Sequence, residues 1–241
     1  MLDYAYNHGG ANKEMLLNYI DGLFCHYILD RNTHPYIFFR SGFSFKEDEK
    51  GKYFYYHALF ETRIDHLIVN EHNTYLKPKT IFKINKNDLM TISRMYYSLA
   101  INYLKNQDVK EDTFYLCFKD MIRSTSFLYS KTGIKNKIFK LFVKNSVIYA
   151  MSAPKNIDNE LKYDYLNLNK REWKFPTTGE IKKESFIDLY NYSKEEYLKF
   201  IELLKQYKNN DFINHLNQFI NNVNHDGFVI GDIKKYFDLS W

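Results

Sequence analysis

The chain has 241 residues, of which 45% are hydrophobic and 26% charged, values typical of a folded protein with a sizeable buried core. Glycine occurs 9 times and proline 4 times, which excludes long flexible or polyproline segments. The aromatic content is unusually high at 18%, mostly from 22 Tyr and 20 Phe. The net charge of +5, from 34 basic and 29 acidic residues, is too small by itself to require a nucleic-acid partner.

The sequence carries no signal for export or membrane insertion. The two cysteines, Cys25 and Cys117, form neither a disulfide framework nor a Cys-x-x-Cys metal pair, which favours a reducing compartment. Residues 1–15 lack the basic and apolar regions of a signal peptide. The apolar run at 16–29 is interrupted by polar residues. We therefore expect a soluble, cytoplasmic protein with no membrane partner.

The first part of the chain predicts one helix followed by a β-hairpin. Apolar residues recur at helical spacing between residues 12 and 30. After Pro35 the pattern alternates with a period of two over residues 37–45, and the aromatic run at 53–57 suits a returning strand. Residues 80–84 could add a short strand. The expected arrangement is an N-terminal helix beside an antiparallel hairpin.

The middle of the chain predicts three helices. The first begins at Asn87 or Asp88, either of which can cap it, and reaches about Lys105. The second is expected at 112–130 and the third at 133–149. These helices would form the core of the fold.

The last part of the chain predicts an irregular connection and then further helices. Residues 152–184 show little periodicity. The segment 193–196, Ser-Lys-Glu-Glu, matches a capping box, in which the serine and glutamate side chains satisfy each other's backbone amides, and it would open a helix to Gln206. Another helix is expected at 210–223, and Asp232 would cap a last short one.

Together these elements predict an α+β fold that is mainly helical. An N-terminal helix and antiparallel β-hairpin would pack on a helical core, followed by a C-terminal helical segment. The favoured division is 1–151, 152–184 as an irregular connection, and 185–241, with one continuous domain as the alternative.

The helix at 92–105, ISRMYYSLAINYLK, combines a wide apolar stripe with one narrow polar line. That line begins at Arg94 and continues through Ser98, Asn102 and Lys105. We expect this helix to be buried on most sides. Arg94 would then face a partner helix or a small polar pocket, where it could contribute to binding.

The stretch SRMYYSLAINYL resembles the serine-arginine-x-tyrosine-tyrosine-alanine helix of HEPN-domain proteins, helical bundles found among bacterial toxins, antitoxins and phage-defence RNases. KTGIKNKIFKLFVKNSVI, residues 131–148, is similar to a later helix of that family. Active members carry an arginine followed by a histidine after four to six intervening residues, and no arginine of this chain has a histidine at that distance. The resemblance therefore implies a non-catalytic, binding member, and no catalytic residue is carried over.

His57, Glu61 and Asp65 are spaced by four, which puts them on one face of a helix or a strand. Arg63 would join them on a strand. Histidine and carboxylates on one face suit a divalent metal or a proton-transfer site. All four are candidate catalytic residues, and the histidine and two carboxylates are candidate metal ligands. The alternative is the solvated face of an edge strand.

Residues 131–150 are rich in lysine and contain no acid. On a helix, Lys137, Lys140 and Lys144 form one line beside an apolar face. Such a helix can follow a phosphate backbone or an acidic protein groove, with nearby tyrosines as stacking surfaces. The alternative is a solvated lysine line beside a buried apolar face.

Two functions remain open from the sequence. The favoured one is a cytoplasmic, non-catalytic protein without a cofactor, which binds nucleic acid or a nucleoprotein through Lys137, Lys140, Lys144 and Arg94. Bacterial defence or phage counter-defence would suit the HEPN resemblance, and a protein partner or a homodimer is compatible with it. The alternative is a metal-dependent nuclease or other hydrolase in which a divalent metal is held by His57, Glu61 and Asp65. The absence of a strong catalytic signature favours the first.

Overall fold

The computed structural model describes residues 1–44, 46–72, 78–105, 108–130, 132–152, 163–207 and 210–239. Within these ranges the fold is mainly helical with one two-stranded antiparallel sheet, which confirms the predicted α+β class. The helices are α1 Leu2–Tyr6, α2 Gly10–Ser41, α3 Glu47–His72, α4 Pro78–Ile81, α5 Lys86–Tyr103, α6 Thr113–Leu128, α7 Ile134–Phe142, α8 Val147–Met151, α9 Phe186–Leu204 and α10 Phe212–Ile220. The strands are β1, Trp173–Lys174, and β2, Ile181–Lys182. None of the described helices is both long enough and apolar enough to cross a membrane.

The chain divides into two compact units. The first comprises Met1–Leu23 and Tyr75–Tyr129, and the second comprises Phe24–Thr74 and Ser130–Trp241. The predicted irregular connection at 152–184 stays a prediction, because residues 153–162 lie outside the described part of the chain.

In the first unit, α5 packs against α6 and buries part of its apolar stripe. Ile92 and Met95 are buried, and the ring of Tyr96 stacks on Phe114 of α6 with centroids 4.4 Å apart. The stripe does not stay buried along its whole length, because Tyr103 is 74% exposed. The helix predicted from its periodicity is therefore present, with burial extending as far as Ala100 and lost at its C-terminal end.

In the second unit, an aromatic core joins α2, α3 and the β-hairpin. Trp173 of β1 is only 2% exposed. The ring of Tyr36 on α2 packs edge-to-face against Trp173 and against Phe60 of α3, with centroid distances of 5.6 and 5.8 Å. The Tyr36 hydroxyl donates to the carbonyl of Tyr165 at 2.8 Å, so its polar end is satisfied inside the core.

The predicted N-terminal β-hairpin is wrong. Residues 37–41 complete α2, and residues 53–57 lie inside α3. Residues 36–39 and 53–56 are apolar or aromatic at every position, so these runs suit a helix buried on several sides as well as a strand. Residues 36, 37 and 39–41 are all buried. Pro35 lies within α2, where it removes one helical donor without ending the helix.

Helix α2 ends instead at Gly42, whose φ of +75° is left-handed. The Gly42 amide donates to the carbonyl of Phe38 at 2.8 Å, which closes the last turn. A Cβ at Gly42 would lie 2.6 Å from the ring of Tyr53 on α3. Glycine therefore both ends the helix and lets α2 and α3 approach closely.

Two further elements differ from the prediction in the middle of the chain. Residues 78–81 form the short helix α4 where a strand was expected at 80–84, and Pro78 occupies its first position, which suits proline. The cap of α5 is Asn85, whose side chain accepts from the amide of Asp88 at 2.9 Å, in place of Asn87 or Asp88.

The helix predicted at 133–149 is divided into α7 and α8. Asn145 between them has a φ of +65°, which a helix does not accommodate. The hydroxyl of Ser146 then accepts from the amide of Tyr149 at 3.2 Å and caps α8.

The N-cap of helix α9 lies eight residues before the predicted cap, so the helix begins at Phe186. The capping box is formed by Ser185 and Asp188: the serine Oγ accepts from the Asp188 amide at 3.2 Å, and the aspartate accepts from the Ser185 amide at 2.7 Å. The similar pattern at Ser193 lies in the helix interior, where its hydroxyl donates to a carbonyl one turn earlier. The capping-box pattern at 193–196 therefore predicted a helix that is present, but it placed the first turn of that helix wrongly.

Residues 221–239, the C-terminal segment, are not helical, so the helix predicted from Asp232 is wrong. The segment packs along α2 instead. The amide of Asp238 donates to the carbonyl of Phe39 at 2.7 Å, and the ring of Phe237 lies 5.1 Å from that of Phe43. These contacts place the segment beside the pair formed by α2 and α3.

Candidate metal centre

Helices α2 and α3 form an antiparallel pair with a constant register. The contacts that define it join Gly42 to Tyr53, Phe38 to His57, and His34 to Glu61. Each step of four residues backward on α2 matches four forward on α3, which is about one turn of each helix. The His57–Glu61 face of α3 is therefore turned toward α2.

Three side chains converge at this interface. The Nε2 atoms of His34 and His57 each lie 3.1 Å from the same oxygen, Oε1 of Glu61. The ligand atoms of the three residues all lie within 4.8 Å of one another. No other such group of histidine, cysteine or carboxylate ligands occurs in the part of the chain that the structure describes. Because these three residues could hold a metal ion, we call them the metal centre.

The backbone determines which nitrogen of His34 carries a proton. Its Nδ1 lies 3.1 Å from the carbonyl oxygen of His225 in the C-terminal segment. Because a carbonyl only accepts, Nδ1 carries the hydrogen and donates it. In the neutral imidazole the lone pair is then on Nε2, directed toward Glu61. This is the tautomer that a metal ligand held by a backbone carbonyl adopts.

Glu61 is ionised at neutral pH. Burial raises its pKa, but hydrogen bonds and charge from His34 and His57 outweigh burial and lower the pKa of Glu61 to about 2. Burial lowers the pKa of His34, whereas its hydrogen bonds to Glu61 and to the His225 carbonyl, with the charge of Asp30, raise that pKa overall. The centre thus holds a fixed negative charge for which a proton on His34 and a metal cation would compete.

Two more carboxyl groups lie one turn beyond the centre, Asp30 on α2 and Asp65 on α3. Burial raises the pKa of Asp30 against the charges of His34 and His26, and Asp30 lies 3.2 Å from Nε2 of His26. Partial removal from water and the charge of Glu61 raise the pKa of Asp65 to about 6. These carboxyl groups flank the metal centre without joining its three ligand atoms.

A cavity of about 450 Å³ borders the metal centre. His34 and His57 line it on one side, and its apolar wall is formed by Phe38, Phe43, Tyr53 and Phe54. The C-terminal segment contributes His225, Asp226 and Lys234. The cavity therefore depends on three parts of the chain that are distant in sequence.

Gly227 allows the C-terminal segment to reach the centre. Its φ is +82°, and a Cβ there would lie 2.1 Å from the carbonyl oxygen of Arg31. That carbonyl lies four residues before Pro35, which has no amide hydrogen to donate to it. The glycine packs against this position of α2 and so brings the neighbouring His225 carbonyl to His34.

Of the predicted metal ligands, the structure brings His57 and Glu61 together and joins them to His34. Asp65 lies on the same side of α3, one turn after Glu61, and outside the group of three. Arg63 is 2% exposed and lies on another face of α3, directed into the protein interior. A catalytic set of four residues on one strand face is thus not formed.

The predicted binding lysines lie away from these residues in the chain. Lys137 and Lys140 are exposed on α7, and Lys144 is exposed beyond the end of that helix. The apolar residues beside them are also exposed, Ile138 by 47% and Leu141 by 81%. This helix therefore presents a basic and apolar surface to solvent.

Arg94 lies on α5 in the first unit and is exposed. Its Nε is 3.5 Å from Oε2 of Glu111, and both side chains are more than half exposed. This is a surface ion pair, of a kind that contributes little to stability. A small polar pocket around Arg94 is therefore not formed.

His34 is the candidate ligand that the sequence pattern had not revealed. Its signal is present: His26, Asp30 and His34 recur every four residues, as do His57, Glu61 and Asp65. The first predicted helix ended at residue 30, because Pro35 and the alternating aromatic residues indicated a strand. A helix continued through Pro35 places both rows on facing helices.

Comparisons of the chain with protein-family models, curated proteins and solved structures found no match. The HEPN resemblance accordingly rests on two stretches of sequence and stays a prediction. The function has to be inferred from the chemistry of the site.

Proposed function

We propose that this protein is a metal-dependent hydrolase whose divalent cation binds His34, His57 and Glu61. The observation that carries the proposal is the convergence of three ligand atoms within 4.8 Å, on two packed helices and beside a cavity. Two imidazoles and one carboxylate are a donor set used by catalytic zinc sites, which keep a fourth position open.

The separations of the ligand atoms suit a tetrahedral ion. With metal–ligand bonds of about 2.0–2.1 Å, tetrahedral angles place two ligand atoms roughly 3.3 Å apart. The two observed Nε2–Oε1 distances are 3.1 Å. The third pair of ligand atoms, on His34 and His57, lies within 4.8 Å, so ion binding would require the two imidazoles to adopt a similar spacing. The hydrogen bond from His34 Nδ1 to the His225 carbonyl would hold that imidazole in its binding orientation.

The chemistry follows from the open fourth position. A divalent cation bound by His34, His57 and Glu61 would leave that position to a water molecule. The cation would lower the pKa of this water to about 7 and so supply a hydroxide nucleophile. Glu61, with a pKa of about 2, provides its negative charge throughout the neutral range. The cavity beside His34 and His57 gives a substrate access to the same side of the centre.

A metal-free ion pair is the competing explanation. A protonated His34 that donates to Glu61 would give the same 3.1 Å contact, and the raised pKa of His34 favours that state in acid. The two explanations differ in their pH dependence, because alkaline pH breaks the ion pair but strengthens metal binding by deprotonating the histidine.

Zinc and manganese titrations of EDTA-stripped protein by isothermal calorimetry test the proposal. We expect one ion per chain, and an affinity at least about 100-fold lower in His34→Ala and Glu61→Gln, since each loses a ligand. Asp65→Asn is the matched control, because Asp65 is one turn away on the same helix. Equal affinity in wild type and Glu61→Gln would exclude the centre as the metal site.

Hydrolysis is tested separately on metal-loaded protein with chromogenic phosphate and carboxylate esters and with short RNA and DNA. We expect turnover that requires the metal and is lost in Glu61→Gln, because that variant cannot hold the ion. Turnover that persists after EDTA treatment would contradict a metal-dependent mechanism.

A second function, nucleic-acid binding without catalysis, is favoured by one observation. Lys137 and Lys140 lie at i and i+3 on α7, and both are exposed beside Leu141 and Phe142, which are each 81% exposed. Lysines can contact a phosphate backbone while an exposed phenylalanine stacks on a base. Such binding would be compatible with a role in defence or counter-defence.

Fluorescence anisotropy with labelled RNA and DNA at increasing salt tests this second function. We expect affinity to fall with salt, and to fall further in the double variant Lys137→Glu/Lys140→Glu than in a control, Lys194→Glu/Lys199→Glu on α9. If both double variants bind equally, α7 is not the nucleic-acid surface.

A further inference from the structure

We propose that the cavity beside the metal centre binds a small phosphate ester that carries a planar aromatic ring. The proposal rests on the proposed function, because the ester would be hydrolysed at the metal centre. Two kinds of cavity residue support the proposal. One is an aromatic wall, and the other is a pair of lysines that are distant in sequence, Lys50 and Lys234.

The aromatic wall offers ring faces for stacking. Phe43 and Tyr53 both pack edge-to-face against Phe237, with centroid distances of 5.1 and 5.9 Å, so their positions are fixed by the C-terminal segment. Phe54 also lines the cavity but is 64% exposed. A planar ring entering the cavity can stack on these side chains as nucleic-acid bases stack on aromatic residues.

Lys234 places a positive charge against this wall. Its Nζ lies 3.8 Å from the ring centroid of Phe38 and 4.9 Å from that of Phe228. Its carboxylate contact is Asp226, whose Oδ2 is 3.5 Å away, and the two side chains are only 21% and 23% exposed. An ammonium has three donors, and one distant carboxylate leaves capacity for a further anionic ligand.

The charge balance of the lining favours an anion. The ionised residues are two lysines and one aspartate, and three imidazoles stand beside them: Lys50, Lys234, Asp226, His34, His57 and His225. Glu61 contacts two of the imidazoles but does not line the cavity, so the charged side chains that an entering ligand meets directly are two lysines and one aspartate. A phosphate group, with up to two negative charges and several acceptor oxygens, matches this lining better than a neutral polar group does.

The volume also limits the ligand. About 450 Å³ lies within the range of small-molecule sites, roughly 300–1,000 Å³, and is too small for a folded nucleic-acid duplex. In the hydrolysis of such an ester, water adds to phosphorus while the ester P–O bond breaks. The leaving alcohol takes one proton from the water, and inorganic phosphate keeps the hydroxyl oxygen, so no further reactant is required.

The test titrates 4-methylumbelliferyl phosphate into metal-free protein by calorimetry, so that binding is measured without turnover. 4-Methylumbelliferone and inorganic phosphate are titrated separately as the two halves of this probe. We expect the ester to bind more tightly than either half, because the aromatic wall and the lysines act on one molecule.

Variants then separate the two parts of the cavity. We expect Lys234→Gln and Lys50→Gln each to weaken the ester about tenfold and to leave 4-methylumbelliferone unchanged, since each removes one charge-assisted contact. Phe54→Ala should weaken both aromatic probes, and because Phe54 is 64% exposed we expect the variant to fold as wild type does. Lys235→Gln and Lys52→Gln are matched controls, because these neighbours do not line the cavity.

The inference is overturned if the ester binds no better than inorganic phosphate, or if the control lysine variants lose as much affinity as the cavity variants. A zinc titration of the same samples measures the metal centre independently. Zinc binding without ester binding overturns the cavity assignment alone. Ester binding without zinc binding overturns the proposed function and leaves the cavity as an ester-binding site.

Discussion

Glu61 is the residue on which the centre depends, because one of its oxygens contacts both imidazoles. An ionised carboxylate between two histidines can be neutralised by a proton or by a cation. The hydrogen bond that His34 Nδ1 donates to the His225 carbonyl orients the imidazole in the same way for both states. Changes at this one residue therefore affect stability, pH dependence and metal affinity together.

The coupling of Glu61 and His34 predicts a stability that depends on pH in metal-free protein. Because the pKa of Glu61 falls from its usual 4.5 to about 2, its contribution is present above pH 4.5 and is lost as pH falls toward 2. Because the pKa of His34 rises above 6.5, its contribution is present below pH 6.5 and is lost as pH rises through the higher folded value. The stabilising pair is thus complete between about pH 4.5 and 6.5.

Urea unfolding with EDTA across this pH range measures the effect. The wild-type midpoint should fall between pH 6 and pH 9 more steeply than that of Glu61→Gln, which lacks the carboxylate that raises the pKa of His34. Parallel pH profiles for the two proteins would show that the contact does not stabilise the folded chain.

At the scale of elements, the approach of the C-terminal segment to α2 depends on Gly227. An alanine there meets both a left-handed backbone and the Arg31 carbonyl, so we expect Gly227→Ala to lower the free energy of unfolding by more than about 2 kcal/mol. Gly231→Ala is the matched control, since Gly231 has a φ of +100° but no atom within 4 Å of a Cβ. Equal losses in the two variants would mean that backbone strain alone, and not the contact with α2, makes the glycine necessary.

The start of α9 gives a second prediction at this scale. Ser185→Ala removes the hydroxyl that accepts from the Asp188 amide, and such a cap contributes about 1 kcal/mol. Chemical denaturation should show a loss of that size. A variant as stable as wild type would indicate that Asp188 alone is sufficient to hold the first turn.

Helices with a clear apolar stripe, preceded by a few polar residues, could be predicted from the sequence. The expected helices at 87–105, 112–130 and 210–223 correspond to α5, α6 and α10. The hairpin failed for a physical reason, because a run of aromatic residues is apolar at every position and does not distinguish a period of two from one of 3.6. In the structure Tyr36 and Phe39 pack against Trp173, and such a long-range contact is not visible from local sequence.

Two of the three residues of the site could be predicted on the same grounds. The spacing of His57 and Glu61 indicated one face of an element, and the two residues do lie together. His34 could not be placed with them while the first helix was thought to end before Pro35. The partners of a site at a helix–helix interface become predictable only when both helices have been recognised.

At the scale of the whole molecule, the high aromatic content has two uses. Some rings form the core around Trp173, as Tyr36 and Phe60 do. Others, including Phe43 and Tyr53, line the cavity and pack against the C-terminal segment. The net charge of +5 does not indicate a function, whereas the local charges around the cavity support the proposed one.

The most direct test of the central claim is a cobalt(II) titration followed by visible absorption, because the spectrum reports both stoichiometry and coordination geometry. We predict saturation at one ion per chain with the intense bands of a tetrahedral site, lost in His34→Ala and Glu61→Gln and retained in Asp65→Asn. Absence of a saturable spectrum in wild type, or its loss in Asp65→Asn but not in Glu61→Gln, would contradict a metal centre formed by His34, His57 and Glu61.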